Sequence, residues 1–208
     1  MGKYVNSMKS IIFSAIFFFL FVSARAQYFC DDYTRMYAGM AFGSLENRPN
    51  KESFGFQMGA LYAHNLTNNK EPLFLQLGMD LNYVSKEFEE EDETHTSLSF
   101  PINLSYKFKM TDDCSFEPFF GVNFRYNITA KATSKVYYVG VGKQKLDYFK
   151  DLDAKRFQFG LNVGASFNFD CFNIGYRFCP DLTNFFGKEY YQVDTRTRYH
   201  FVTFGLTL

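Results

Sequence analysis

Between residues 97 and 110 the chain alternates without a break. Leu98, Phe100, Ile102, Leu104, Tyr106, Phe108 and Met110 share one parity, and Ser97, Ser99, Pro101, Asn103, Ser105, Lys107 and Lys109 the other. Strict alternation predicts a two-faced β-strand. The stretch exceeds the about 5–6 residues of an ordinary strand and suits a tilted strand that crosses a bilayer, which needs about 9–11. The same pattern recurs over residues 36–43, 54–63, 73–84, 116–128, 157–169, 172–179 and 200–208. That makes eight predicted strands.

The connections alternate too. Those over 44–52, 86–95, 131–154 and 180–197 are long and polar, whereas 65–72, 111–113 and 170–171 are shorter. Long connections on one side and short turns on the other predict an all-β fold, an eight-stranded antiparallel up-and-down transmembrane β-barrel with its short turns in the periplasm.

Alternation leaves open which face points to lipid, because a soluble barrel alternates with its apolar face inward. Volume decides. An eight-stranded interior is just filled by side chains, and the apolar parity is crowded with Phe, Tyr and Leu. The opposite parity is mainly Gly, Ser, Asn and Gln, with Asp80, Lys107, Glu117, Arg125 and Arg177 as its charged members. Turning those cations to lipid would cost about 2–4 kcal/mol each near the midplane. The five are therefore expected to form a lumenal polar network that plugs the barrel rather than a selectivity ring. Tyr62 and Tyr106 fall at the periplasmic interface and Tyr83 and Tyr126 at the outer one, as an aromatic girdle requires.

Composition adds the compartment. Lys3 and Lys9, an apolar run over 11–22 and Ala24-Arg25-Ala26 read as a signal peptide over 1–26, leaving Gln27 as the first residue of a barrel domain over 27–208. Removing Lys3, Lys9 and Arg25 from the 22 basic residues leaves 19 against 22 acidic ones, a balance of about −3. That is no footprint for nucleic acid. Export permits disulfides. Cys114 and Cys171 both fall at periplasmic turns of neighbouring hairpins and are the candidate pair, with Cys30 an alternative partner; Cys179 falls near the opposite rim and is expected to stay unpaired.

The turn over 111–113 sets a register in which Lys107 faces Glu117 inside, and a contact between them is expected. Pro101 cannot donate to the ladder of a closed barrel, so a bulge or a water-satisfied carbonyl is expected beside it.

The stretch SFPINLSYKF resembles the Ile-Pro-Leu…Lys-Tyr strand of the outer membrane protein beta-barrel domain family of Bacteroidetes-type bacteria, which includes PorT-like proteins. FEPFFGVNFRY is similar to that family's Pro-Tyr…Gly strand, and the segment over 159–186 to its penultimate strand pair, ending in Leu182, Thr183 and Asn184. The resemblance implies the fold and the outer membrane of a Gram-negative bacterium, and for PorT-like members a part in protein secretion. The terminal Leu208 departs from the aromatic that commonly ends such chains.

Function is then sought in the outer loops. Residues 86–93 hold six acids and one base, and 131–156 seven bases and three acids, so the two loops are expected to brace each other or attract a protein partner. Val136, Tyr137, Tyr138 and Val139 could extend the fifth strand and offer an edge for strand addition. His64, His95 and His200 are the three histidines, and none makes a constellation with Ser and carboxylate that would support barrel-borne lipid chemistry. No enzyme activity, cofactor or metal is expected; the partners are outer-membrane lipid and a protein at the outer loops, and the chain is expected as a monomer.

Overall fold

Thr34 N–H donates to the Leu208 carbonyl (3.1 Å) and Leu208 N–H to the Thr34 carbonyl (2.8 Å), so the first and last strands are zipped together. The structure, a computed structural model, describes residues 30–45, 48–87, 91–134, 145–152, 154–186 and 195–208. Its elements are β1 (Tyr33–Leu45), β2 (Arg48–Asn65), β3 (Leu73–Glu87), β4 (Glu91–Tyr106), β5 (Phe108–Lys109), β6 (Cys114–Ser134), β7 (Lys145–Asp147), α1 (Tyr148–Asp151), β8 (Phe157–Phe169), β9 (Phe172–Pro180) and β10 (Thr197–Thr207).

Eight long strands run antiparallel in the order β4-β3-β2-β1-β10-β9-β8-β6, and β6 pairs back onto β4 to close the ring. β5 continues β4 past an interruption at Lys107, and β7 pairs only with β6, above the barrel. Burial is inside out. Gln57, Gln76, Asp80, Glu117, Gln158 and Asn162 are almost fully buried, while Phe56, Met79, Phe120, Phe157 and Phe204 are exposed. A water-facing protein would expose the first set and hide the second. The lipid-outward register follows, and the barrel has no free edge.

Three expectations change. The outer connections after the first and third strands are extended hairpins rather than long loops. β1 and β2 pair as far as Leu45 and Arg48, and β3 and β4 as far as Glu87 and Asp92. The acidic and basic segments are likewise joined by pairing, since β4 runs beside β6 from Glu91, opposite Ser134, downward.

Pro101 does not produce a bulge. Pairing of β3 with β4 lapses between Leu77↔Ile102 and Asp80↔Ser99 and resumes in the same register. Gly78 lies in that gap, and a Cβ there would come within 2.8 Å of Pro101 Cγ. A missing side chain makes room for the ring, so the ladder skips a rung without slipping.

The bulge lies higher. Thr96 pairs with Thr129 and Ser97 with Asn127, which leaves Ile128 as the extra residue of β6. Below it Arg125 and Asn127 point inward; above it Ala130 and Ala132 do, with Lys131 exposed. One inserted residue therefore exchanges the two faces of β6 at the outer rim.

Candidate functional site

The lumen is filled by three layers, each centred on an arginine and a carboxylate. At the periplasmic end Arg35 Nη2 donates to Glu117 Oε2 at 2.8 Å, and the Gln76 amide and Ser105 hydroxyl donate to Oε1 at 2.8 Å each. The Tyr33 hydroxyl donates to the same oxygen. Arg35 also reaches Ser166 (3.1 Å) and Asn168 (2.8 Å). The donors around the carboxylate come from β1 (Tyr33 and Arg35), β3 (Gln76) and β4 (Ser105), so Glu117 of β6 ties the wall together across the barrel.

The middle layer joins Arg177 Nη2 to Asp80 Oδ2 at 2.6 Å, with the Tyr37 hydroxyl on the other oxygen and the guanidinium 4.9 Å from the Phe201 ring. In the outer layer Arg125 pairs with Asp181, which also accepts from the Thr197 hydroxyl. Arg125 donates further to Gln158 (3.2 Å) and Thr197 (2.8 Å), and its guanidinium lies 4.4 Å from the Tyr199 ring centroid. Asn162 Nδ2 of β8 donates to Asn103 Oδ1 of β4 (3.0 Å) across the intervening β6, and the buried Cys179 thiol donates to Asn162 Oδ1 at 2.7 Å. The cavity between the lower layers has about 40 Å³ of open space, lined by Arg35, Tyr37, Asn103 and Arg177 among others. At about 10–15 Å³ per water centre, that is room for a few water molecules.

Above the lumen sits an apolar cap. Ala130 and Ala132, turned inward by the Ile128 bulge, pack with Tyr148, Ala154 and Phe185, and Phe149, Leu152 and Phe186 flank them. The Tyr148 hydroxyl donates to Glu93 Oε1 at 2.5 Å, and the His95 ring lies 5.8 Å from Tyr148 and 5.6 Å from Phe185. α1 is fixed by its N-cap, where Asp147 Oδ1 accepts from Phe149 N–H at 3.1 Å.

Asp80, Lys107, Glu117, Arg125 and Arg177 all lie buried in the lumen; Asp80 and Arg177 pair with each other, while Glu117 and Arg125 take their ion-pair partners from outside the five, pairings that hairpin register does not give. The register across the 111–113 turn is the expected one, with Phe108↔Phe116 and Leu104↔Phe120 on either side of Lys107 and Glu117. Yet the Glu117 ion pair is made with Arg35, while Lys107 Nζ lies 4.3 Å from the Tyr33 ring centroid and 4.9 Å from that of Phe74. Arg35, Tyr33, Tyr37 and Asp181 are the members that sequence reasoning missed. The parity of Arg35 with Tyr37 and Gly39 was the available signal.

All four cysteines are free thiols. Cys114 lies opposite Phe169 on the parity of lipid-facing Phe116, while Cys171 belongs to the adjacent Asp170-Cys171 turn, where its carbonyl accepts from the Thr207 N–H of β10. The expected pair is therefore brought to neighbouring turns but is not bonded. Val136, Tyr137, Tyr138 and Val139 lie outside the described residues, as do residues 1–29.

His64 Nδ1 lies 2.9 Å from Asp32 Oδ2 at the periplasmic end, and His200 Nδ1 2.7 Å from the Tyr176 hydroxyl on the lipid face. His95 is in β4 rather than in a loop, with Nε2 3.9 Å from Glu93 Oε2.

A closed ring of eight antiparallel strands, apolar toward lipid and polar within, defines a transmembrane barrel of the outer-membrane type. The outer membrane protein beta-barrel domain model matches residues 13–208, and the chain belongs to that family, which places it in the Gram-negative outer membrane. No curated protein matches it. Among solved structures it is similar to Ail, the attachment invasion locus protein of Yersinia pestis, at 13% identity over 86% of this chain and 99% of that one, with a TM-score of 0.47. It is also similar to Neisserial surface protein A (14% identity, 85% and 96% covered, TM-score 0.47). The outer membrane enzyme PagL gives 15% identity, 84% and 97% coverage and a TM-score of 0.47. These are likenesses of fold alone.

Proposed function

We propose that this protein is a sealed, non-catalytic outer-membrane barrel that works through its outer surface, where it holds a protein partner. The observation that carries the reading is the lumen, in which Arg35, Arg177 and Arg125 each meet a buried carboxylate in successive layers. Such an interior stabilises a scaffold and leaves the outer extension of β3, β4, β6 and β7 as the surface to be recognised. Residues 136–139 belong to the segment that would meet the partner.

Planar-bilayer recording tests the seal, with no stable conductance expected from the folded protein. A steady ion-selective current would overturn the reading. The PorT-like resemblance supports a partner among secretion components, to be sought by co-purification, and unaffected secretion in a deletion strain would exclude it. Export by cleavage after Ala26 belongs to the same reading and predicts a mature protein that begins at Gln27.

A further inference from the structure

The outward face near the periplasmic end of β1 and β2 changes character within a few residues. Ala60, Tyr62 and His64 follow one another down β2, with Met36 and Thr34 of β1 opposite the first two. Asp32 ends the column. Its Oδ2 accepts from the Tyr62 hydroxyl at 2.6 Å and lies 2.9 Å from His64 Nδ1, and its Oδ1 accepts from the Asn65 N–H at 2.7 Å.

Above this cluster a groove of about 760 Å³ is cut into the lipid-facing wall. Ala38 and Ala60 form its floor, and Met36, Met58, Met79 and Phe204 rise around it. Its volume falls within the about 300–1,000 Å³ of small-molecule sites. Four of the chain's seven methionines, Met36, Met40, Met58 and Met79, lie on this side of the barrel. Their unbranched side chains adapt to a flexible apolar ligand. Below the cluster lies a hydrophilic pocket of about 530 Å³ bordered by Asp31, Asp32, His64, Asn68 and Asn69.

The occupant must match both halves. A second copy in a two-fold contact would set the groove against itself, and two facing concavities leave a void where close packing is needed. An alkyl chain is a cylinder and fills the groove. The polar pocket offers the Asp31 and Asp32 carboxylates to a cation; Asn69 Nδ2 donates to Asp31 Oδ1 at 3.2 Å, which leaves the Asn68 amide as the donor to an anion. Hydrogen bonds from Asn65 and Tyr62 hold the Asp32 carboxyl at about 2, so it is charged at neutral pH. An apolar tail beside a group carrying both an amine and a phosphate describes one chemical class.

We propose that this face of β1 and β2 holds one phospholipid of the periplasmic leaflet with a zwitterionic aminoethyl-phosphate head. One acyl chain lies over Ala38 and Ala60, the ammonium meets Asp31 and Asp32, and the phosphate faces Asn68.

The test is native mass spectrometry of the full protein from micelles holding equal amounts of palmitoyl-oleoyl phosphatidylethanolamine and phosphatidylglycerol. Wild type should retain one phosphatidylethanolamine with an about threefold preference, the scale set by solvent-exposed ion pairs. Asp31→Asn should equalise the two lipids without lowering total retention, and Ala60→Phe should abolish retention by filling the groove. Heat-modifiable gel migration checks that each variant is folded, and Ala38→Phe replaces Ala60→Phe if that variant does not fold. Equal retention of the two lipids by wild type, undiminished binding in the folded groove variant, or a lipid-free dimer would each overturn the proposal.

Discussion

Glu117 is fully buried, and what holds it there is a set of donors spread around the barrel: Arg35, Tyr33, Gln76 and Ser105. Removing one member of a buried ion pair leaves the other charge without compensation, which costs about 3–5 kcal/mol. Glu117→Gln should therefore lower unfolding stability by about 3 kcal/mol in urea titrations read by gel mobility. Arg35→Gln should cost a similar amount, and the double variant should lose less than the sum. The identity of this pair was out of reach of the sequence. Hairpin register places Lys107 opposite Glu117, but contacts across a lumen depend on how the whole sheet is sheared on closing, and that is a property of no single turn. At the exposed rim, Asp32 has a carboxyl held down from 3.8 to about 2 by the Asn65 N–H and the Tyr62 hydroxyl. A depressed folded value means the interaction is complete above the unfolded value and is lost as pH falls through the folded one. The Asn65 amide resonance should accordingly titrate with a midpoint of about 2, and Asp32→Asn should remove that titration.

At the level of the strand, alternation was readable only where both solvents of the barrel act on it. Inside the membrane each strand has lipid on one side and a narrow polar lumen on the other, so parity is enforced at every step. Above the membrane the lipid ends, and the segments over 44–52 and 86–95 lose the apolar column although pairing goes on within them, from Leu45 to Arg48 and from Lys86 and Glu87 to Glu93 and Asp92. Patterning stops there, but hydrogen bonding does not, which is why those segments read as loops. The Ile128 bulge was equally hidden, because an inserted residue looks like a lapse of pattern until its partner strand is known. Deleting Ile128 should turn Ala130 and Ala132 outward and Lys131 inward, dismantling the Tyr148 and Phe185 cap. We expect faster proteolysis between Lys131 and Arg156 while heat-modifiable migration of the barrel persists. Gly78 and Pro101 make a second test. Gly78→Val should destabilise by about 1–3 kcal/mol through overpacking, and Pro101→Ala should recover most of it, because the crowding atom is Pro101 Cγ.

The whole molecule joins two different closures, and they separate experimentally. The cap is apolar, is held by Tyr148, Phe185 and the Glu93 carboxylate, and depends on α1 and β7, which lie outside the ring of eight strands. The lumenal layers belong to the wall itself, since Arg35, Arg177 and Arg125 project from β1, β9 and β6. If the cap were the seal, replacing residues 145–152 by a short Gly-Ser linker would open a pore. The geometry says otherwise, because the open space between the two lower layers is about 40 Å³, enough for a few waters and too small for a hydrated ion path. The cap-less protein should therefore remain electrically silent in planar bilayers. Conductance should appear only when wall layers are thinned, as in Arg177→Ala with Asp80→Ala combined with Arg125→Ala and Asp181→Ala. Those pairs are removed together so that no buried charge is left alone to unfold the barrel. A current through the cap-less protein with its wall intact would place the seal in the outer extension and leave the lumenal ion pairs a purely structural role.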